Sequence, residues 1–281
     1  MLPLTTIATI PSMKEGIRPF IAKSNEPIIA YGQELQPDQA IGILLNHEYD
    51  KGWNFFSGYP EFWVFKDKLL VPGGKALDLG IGTGRSSQFF ALQGMQVTGY
   101  EIEPDPLALM RGVIDRYGIS SIDLREENVR EADLGQELFD TVIMAQTFVH
   151  FPSKQAAFDV LHKSISALKK GGHLWFRAAG THDEAYEELS SYARHGSYGI
   201  TQVNEDVFMA PCSCSGEMKM EPQLFLEPME VTKVFADNNM TLVHTQLAPQ
   251  EGQANIMYGE DFNRSQRPPL ISGHITILAR K

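Results

Sequence analysis

The stretch Asp78-Leu79-Gly80-Ile81-Gly82-Thr83-Gly84 constrains this chain more than any other. It overlaps the apolar run Lys75-Ala76-Leu77-Asp78-Leu79, which reads as a strand. It is followed by residues 85–93, which read as a helix stopped by Gly94. Three glycines at alternate positions leave the turn with no side-chain wall, so a ligand can lie directly on the backbone. A tight glycine turn without a ligand is the bland alternative, and the strand-turn-helix context argues against it. A dinucleotide site would want a glycine three positions after Gly82, where Arg85 stands. A carboxylate at Asp78 would repel a pyrophosphate but suits the ammonium of an amino acid. The loop therefore favours a cationic ligand that carries an amino-acid end.

Around this loop, residues 71–180 alternate short apolar strands with helical stretches, the pattern of βαβ units in a parallel sheet. Strands are predicted at 96–102, 122–124, 141–145 and 174–176. A helix runs from Pro104, suited to the first helical position, to near Gly118. Another is predicted at 153–170, with Ala157, Val160, Leu161, Ile165 and Leu168 on one stripe and Lys169, Lys170 and Gly171-Gly172 closing it. Residues 181–227 show no sustained period and read as an inserted lid. A helix at 228–238 and strands at 241–247 and 274–279 complete the core. The first 70 residues hold one predicted helix, 37–46, then the aromatic series Trp53, Phe55, Phe56, Tyr59, Phe62, Trp63 and Phe65. Four units are expected: an N-terminal cap (1–70), a ligand-binding core (71–180), a substrate lid (181–227) and a C-terminal completion of the core sheet (228–281).

The loop resembles motif I of the class I S-adenosylmethionine-dependent methyltransferases, written as acid, any, glycine, any, glycine, any, glycine. The likeness continues for about 110 residues, through Glu101 closing the second strand, Glu127-Asn128-Val129-Arg130 after the third, Phe139-Asp140-Thr141-Val142, and Leu168-Lys169-Lys170-Gly171-Gly172. It implies a Rossmann-like α/β fold, a seven-stranded mostly parallel sheet with helices on both faces, here with an N-terminal helical cap and a lid. It also implies S-adenosyl-L-methionine as cofactor. By the same resemblance Glu101 accepts hydrogen bonds from both ribose hydroxyls and Ile102 packs on the adenine face. Asn128, with Val129 beside it, holds the adenine amino group; an ordinary Asx turn is the other reading of Asn128. Asp78, Gly80, Gly82, Thr83, Gly84 and Gln146 complete the cofactor set. Tyr49-Asp50 resembles an aromatic stretch that family members carry before motif I, so Tyr49 and Trp53 are candidate contacts; a plain hydrophobic cap is the alternative. The start Gly82-Thr83-Gly84-Arg85-Ser86-Ser87 and the end Ile277-Leu278-Ala279-Arg280-Lys281 are similar to the tellurite-resistance branch.

Methyl transfer needs a general base only when the acceptor arrives protonated. His150, just past the fourth strand, is the candidate, because ligands of open α/β sheets sit at the carboxyl ends of strands. The competing reading packs it between Phe148 and Phe151. In the lid, Met209, Cys212, Cys214, Met218 and Met220 would suit a soft metalloid or thiol acceptor, or simply fill irregular contacts over an apolar substrate. No metal site is expected, since no second Cys or His pair stands at ligand spacing. A small-molecule acceptor is expected; the rival from another class is a non-catalytic adenosylmethionine-binding regulator.

Charge narrows the partners. Against 24 Lys and Arg stand 35 Asp and Glu, a net −11, with no block of five basic residues, which weighs against nucleic acid. No apolar run approaches the roughly 18 residues of a membrane span. The first charge is Lys14, so the basic start of a signal peptide is not seen. Two cysteines make no disulfide framework. These features point to a cytoplasmic monomer or homodimer with no membrane partner.

Overall fold

The computed structural model describes residues 28–30, 33–35, 62, 64–182, 184–212, 219–246 and 274–281. The predicted helix at 37–46 lies outside them, as do Tyr49, Trp53, Cys214 and Met218.

Seven strands form the central sheet: β3 (Lys75–Leu79), β4 (Gln96–Glu101), β5 (Ile122–Glu126), β6 (Phe139–Ala145), β7 (Leu168–Ala179), β11 (Thr241–Gln246) and β12 (His274–Arg280). Their order is β11-β12-β7-β6-β3-β4-β5. All neighbours pair in parallel except β12, which runs antiparallel to both β7 and β11. Two short strands near the N-terminus, β1 (Ile28–Ala30) and β2 (Gln33–Leu35), form a hairpin that the sequence pattern did not foreshadow. Three-residue strands carry too little periodicity to be read.

A parallel sheet is covered on both faces, so its strands read as continuous apolar runs, and β3 is buried at four of its five positions. One face packs Leu77, Leu79, Val142, Met144 and Phe176 against α4 (Lys154–Ala167) and α6 (Pro228–Asp237). The other packs Ala76, Val97, Ile143 and Trp175 against α2 (Arg85–Leu92) and α3 (Pro104–Tyr117). Alternation along β3 therefore turns Asp78, like Ala76, toward α2. Phe62, just before the short α1 (Lys66–Leu69), enters this second face. Its ring lies 4.8 Å from Trp175, 5.3 Å from Phe89 and 5.1 Å from Phe90. Among the described residues no helix is long and apolar enough to cross a membrane.

Two elements differ from the sequence reading. Helix α4 starts under a Ser153 cap, whose side chain accepts from the Ala156 amide, but ends at Ala167 rather than 170. Leu168 is already extended, with φ −76° and ψ 132°, and opens β7. Lys169 reaches the Asp140 carboxylate at 2.8 Å, and the Gly171 amide donates to the Lys281 carbonyl, so basic residues and glycine that read as a helix end instead start a bulged strand. Residues 181–227, expected to lack regular structure, hold α5 (Glu184–His195) and a small antiparallel sheet. Its strands are β8 (Thr201–Gln202), β9 (Val207–Cys212) and β10 (Lys219–Leu224).

Phe62→Ala removes a ring that is fully buried against three others. It should cost about 3–5 kcal/mol of stability, read from urea unfolding, while leaving the helix content of the folded chain unchanged.

Candidate active site

The carboxyl ends of β3, β4, β5 and β6 surround one cavity of about 560 Å³, which β10 of the inserted segment closes on one side. Every described residue that the sequence singled out, from Asp78 to His150, lines this cavity except Gly84.

Its floor is the glycine loop. Gly82 has φ +51°, and a Cβ built there meets nothing within 4 Å, so the backbone faces open space. Gly84 has φ +82°, and a Cβ there would fall 2.0 Å from Met110 Sδ, so this glycine lets α2 and α3 approach. Gly80 sits between these two roles, with Thr147 Cγ2 at 3.1 Å from such a Cβ. Thr147 itself donates through Oγ1 to the Leu79 carbonyl and pins the β6 loop to the end of β3.

Glu101 holds the loop in shape. Its Oε2 accepts from the Gly82 amide at 2.8 Å, while Oε1 accepts from the amides of Ile102 at 2.7 Å and Glu103 at 3.0 Å. An ionised carboxylate offers about four lone-pair positions, so three amides do not exhaust it. Beside it Ile102 is 52% exposed and presents an apolar face to the cavity. Asn128 adopts the Asx turn: its Oδ1 accepts from the Arg130 amide at 3.0 Å and from Arg130 Nε at 3.4 Å. Gln146 takes a left-handed conformation, φ +61°, and its amide donates to the Arg177 carbonyl, which turns the chain over the end of β6.

Asp78 is almost wholly buried and accepts from Ser87 Oγ at 2.7 Å, tying β3 to the first turn of α2. Burial, opposed by hydrogen bonds from Ser87 and reinforced by the charge of Glu101, pushes its carboxyl up to about 7.

His150 is not packed between the phenylalanines. Phe148 and Phe151 meet each other edge to face at 4.9 Å, whereas the His150 side chain is 37% exposed and turns toward β10, with Nδ1 3.3 Å from Glu221 Oε2. Sequence reasoning missed Glu221 and Pro222 on β10, Thr147, and Glu103. Glu103 had a readable signal, an acid two positions after Glu101 and directly before the Pro104 helix start. Burial, then Glu221 and Glu101, hold its carboxyl above the usual range, with Lys219 and His150 opposing.

A family profile described as "Methyltransferase domain" matches residues 76–172. Over 114 residues, 41% of the chain, it is 29% identical to a ubiquinone biosynthesis O-methyltransferase of Photorhabdus laumondii, covering 46% of that protein. Over 103 residues, 36% of the chain, it is 29% identical to a phosphatidylethanolamine N-methyltransferase of Cereibacter sphaeroides, covering 49% of it. The chain thus spans about half the length of the curated relatives it matches. A solved SAM-dependent methyltransferase from Methanosarcina mazei, 20% identical, superposes with a TM-score of 0.58 over 79% of this chain and 97% of that one, which shows the shared fold.

Because Asp78 keeps its proton to about pH 7 when folded but loses it near 3.8 as an ordinary carboxyl, the folded chain binds the extra proton between those values. Stability present in acid is therefore lost as pH rises through this window, by on the order of 4 kcal/mol at most. Asp78→Asn, which can still accept from Ser87, should remove that decline in urea melts taken from pH 4 to 8. Parallel curves for the two proteins would refute it.

Proposed function

We propose that this chain, whose residues 76–172 are a methyltransferase domain on the class I S-adenosylmethionine-dependent fold, transfers a methyl group to a small-molecule acceptor by in-line displacement. The observation that carries the reading is the bond between Glu101 and Gly82. It sets a carboxylate with unused lone pairs beside a glycine floor that opens on empty space, at the carboxyl ends of parallel strands.

The residues fit S-adenosylmethionine. Glu101 would take the ribose hydroxyls, and Ile102 and Val129 the adenine faces. Asn128, whose Oδ1 is engaged by Arg130, would offer its amide nitrogen to a ring nitrogen of adenine rather than its oxygen to the amino group. Gly80, Gly82 and Thr83 would floor the methionine end, with Asp78 beneath and Gln146 at its side. Gly84 would act indirectly, by letting α3 close on α2. When bound, the cofactor supplies a methyl group already activated on a sulfonium, so holding the acceptor in line provides much of the acceleration. His150, at the far end of the cavity, would take a proton from a hydroxyl or ammonium acceptor.

A cavity of about 560 Å³ suits a small ligand pair. The named relatives methylate oxygen in one case and nitrogen in the other, so likeness does not choose the acceptor atom. The tellurite-resistance likeness gains no support from these relatives, which are named for ubiquinone and phosphatidylethanolamine.

Removing the Glu101 carboxylate deletes charge-assisted bonds of about 1.5–3 kcal/mol each that do not add fully. Glu101→Ala should weaken S-adenosylmethionine and S-adenosylhomocysteine at least tenfold by calorimetry, with Glu101→Gln falling between it and wild type. Unchanged affinity would overturn the assignment.

His150→Gln should lower kcat/KM roughly 10²–10⁴-fold and flatten the acid limb of its pH profile, with donor affinity intact. Donor binding without turnover of any acceptor in a labelled-methyl panel would favour the regulatory rival.

A further inference from the structure

We infer that strand β10 belongs to the chemical end of the cavity, and that Glu221, with the Pro222 carbonyl, is a positioning pair that fixes the His150 imidazole as its Nδ1–H tautomer and leaves Nε2 as the basic nitrogen. The inference rests on the reading of His150 as the base.

The geometry begins with how firmly β10 is held. The Leu224 amide donates to the Val149 carbonyl at 2.8 Å, one residue from His150. Glu221 and Pro222 pair with Ala210 and Met209 of β9. Just before β9, Asp206 meets Lys154 of α4 at 3.1 Å, and Lys154 also meets Glu230 of α6 at 2.8 Å. Phe208 and Phe225, together at the open end of this hairpin, are buried with Ala179. The inserted sheet is thus pinned to the core by a backbone bond, an ion-pair bridge and an apolar cluster, all close to the His150 loop.

Among the groups around the ring, three approach Nδ1: Glu221 Oε2 at 3.3 Å, the Pro222 carbonyl at 3.3 Å and Gln223 Nε2 at 3.4 Å. A neutral imidazole has one donor nitrogen and one acceptor nitrogen. Two of the three neighbours can only accept once Glu221 is ionised, and one of them carries a charge, which strengthens a hydrogen bond about twofold. The Gln223 amide is the single donor, and a half-turn exchanges its NH₂ for its oxygen. Nδ1 therefore carries the hydrogen, shared between two acceptors, which accounts for both distances lying beyond the usual 2.7–3.2 Å range.

The consequence is chemical. With Nδ1 occupied, the lone pair is on Nε2. Nε2 would take the acceptor's proton, and the electron pair so freed would form the bond to the methyl carbon that a bound sulfonium donor would supply, the donor keeping the carbon-sulfur pair as a neutral thioether. The imidazolium produced is stabilised by the Glu221 charge already beside it. Of the charged groups nearby, Glu221 of β10 lies against the ring, and Glu103 at the head of α3 is within electrostatic reach of His150, Glu221, Glu101 and Lys219.

The test is the ¹⁵N spectrum of histidine-labelled protein, with His150→Gln identifying the signal. Wild type should show a protonated Nδ1 and an unprotonated Nε2 above the titration of the ring. Glu221→Ala should move the ring toward Nε2–H and lower kcat/KM roughly 10- to 100-fold without changing donor affinity. Glu221→Gln, which keeps shape and one accepting oxygen, should lie between. An Nε2–H ring in wild type, or a ring that ignores Glu221→Ala, overturns the proposal. If the ring responds as expected while His150→Gln turns over normally, the positioning stands and the base reading falls.

Discussion

Three backbone amides converge on the Glu101 carboxylate, from Gly82, Ile102 and Glu103, and the shape of the cavity depends on that convergence. A loop of glycines at positive φ has many alternative conformations, because glycine is permissive there. A charged acceptor at the end of the neighbouring strand selects one of them, since its bonds to amides are stronger than neutral ones. The same bonds fix where α3 begins. Floor, side wall and the exposed Ile102 are therefore set by one side chain, whose remaining lone pairs face the space it defines.

Asp78 is the contrasting acid. It lies one strand away, yet its described partner is Ser87 and it is nearly inaccessible to water. Glu101 is partly exposed and accepts from three amides, whereas burial, reinforced by the charge of Glu101, holds the Asp78 carboxyl up at about 7. Opposite environments thus give two carboxyls at adjacent strand ends different physical roles, an acceptor for loop amides and a proton-sensitive brace beneath the loop. Both need a rigid base, and Trp175 with Phe62, Phe89 and Phe90 provides it on the α2 face of the sheet.

The parts of this site that could be read from sequence are those set within a few residues of the glycine loop and the strand ends. Asp78, Gly82 and Glu101 were legible because the short apolar strands and the Gly94 and Gly118 helix stops fix where each βα turn falls. The position of His150 past β6 was legible for the same reason, but its surroundings were not. Two aromatic neighbours suggested packing, and the rings instead met each other at 4.9 Å while the imidazole turned outward. Its partner Pro222 lies 72 positions away, on a strand that carries a proline and no clean alternation of apolar residues. Long-range antiparallel pairing of that kind leaves little local signature. The end of α4 failed differently: Lys169 and Gly171 satisfy the rules for a helix terminus, but a carboxylate at Asp140 captured the lysine for the sheet.

These two kinds of legibility follow a physical division of the cavity. The floor belongs to the parallel sheet, whose crossovers bury both faces and tolerate little change in shape. The opposite wall belongs to a small antiparallel insertion whose outward side chains are only half-buried. Because β10 is held by the Leu224 amide and by the Lys154 bridge behind it, side chains on its cavity face can vary without loosening that attachment. Under the proposed methyl transfer, a wall with those properties could change its acceptor while the floor kept one cofactor. Chemistry that belongs to the acceptor is then to be sought on Glu221 and its neighbours rather than in the glycine loop.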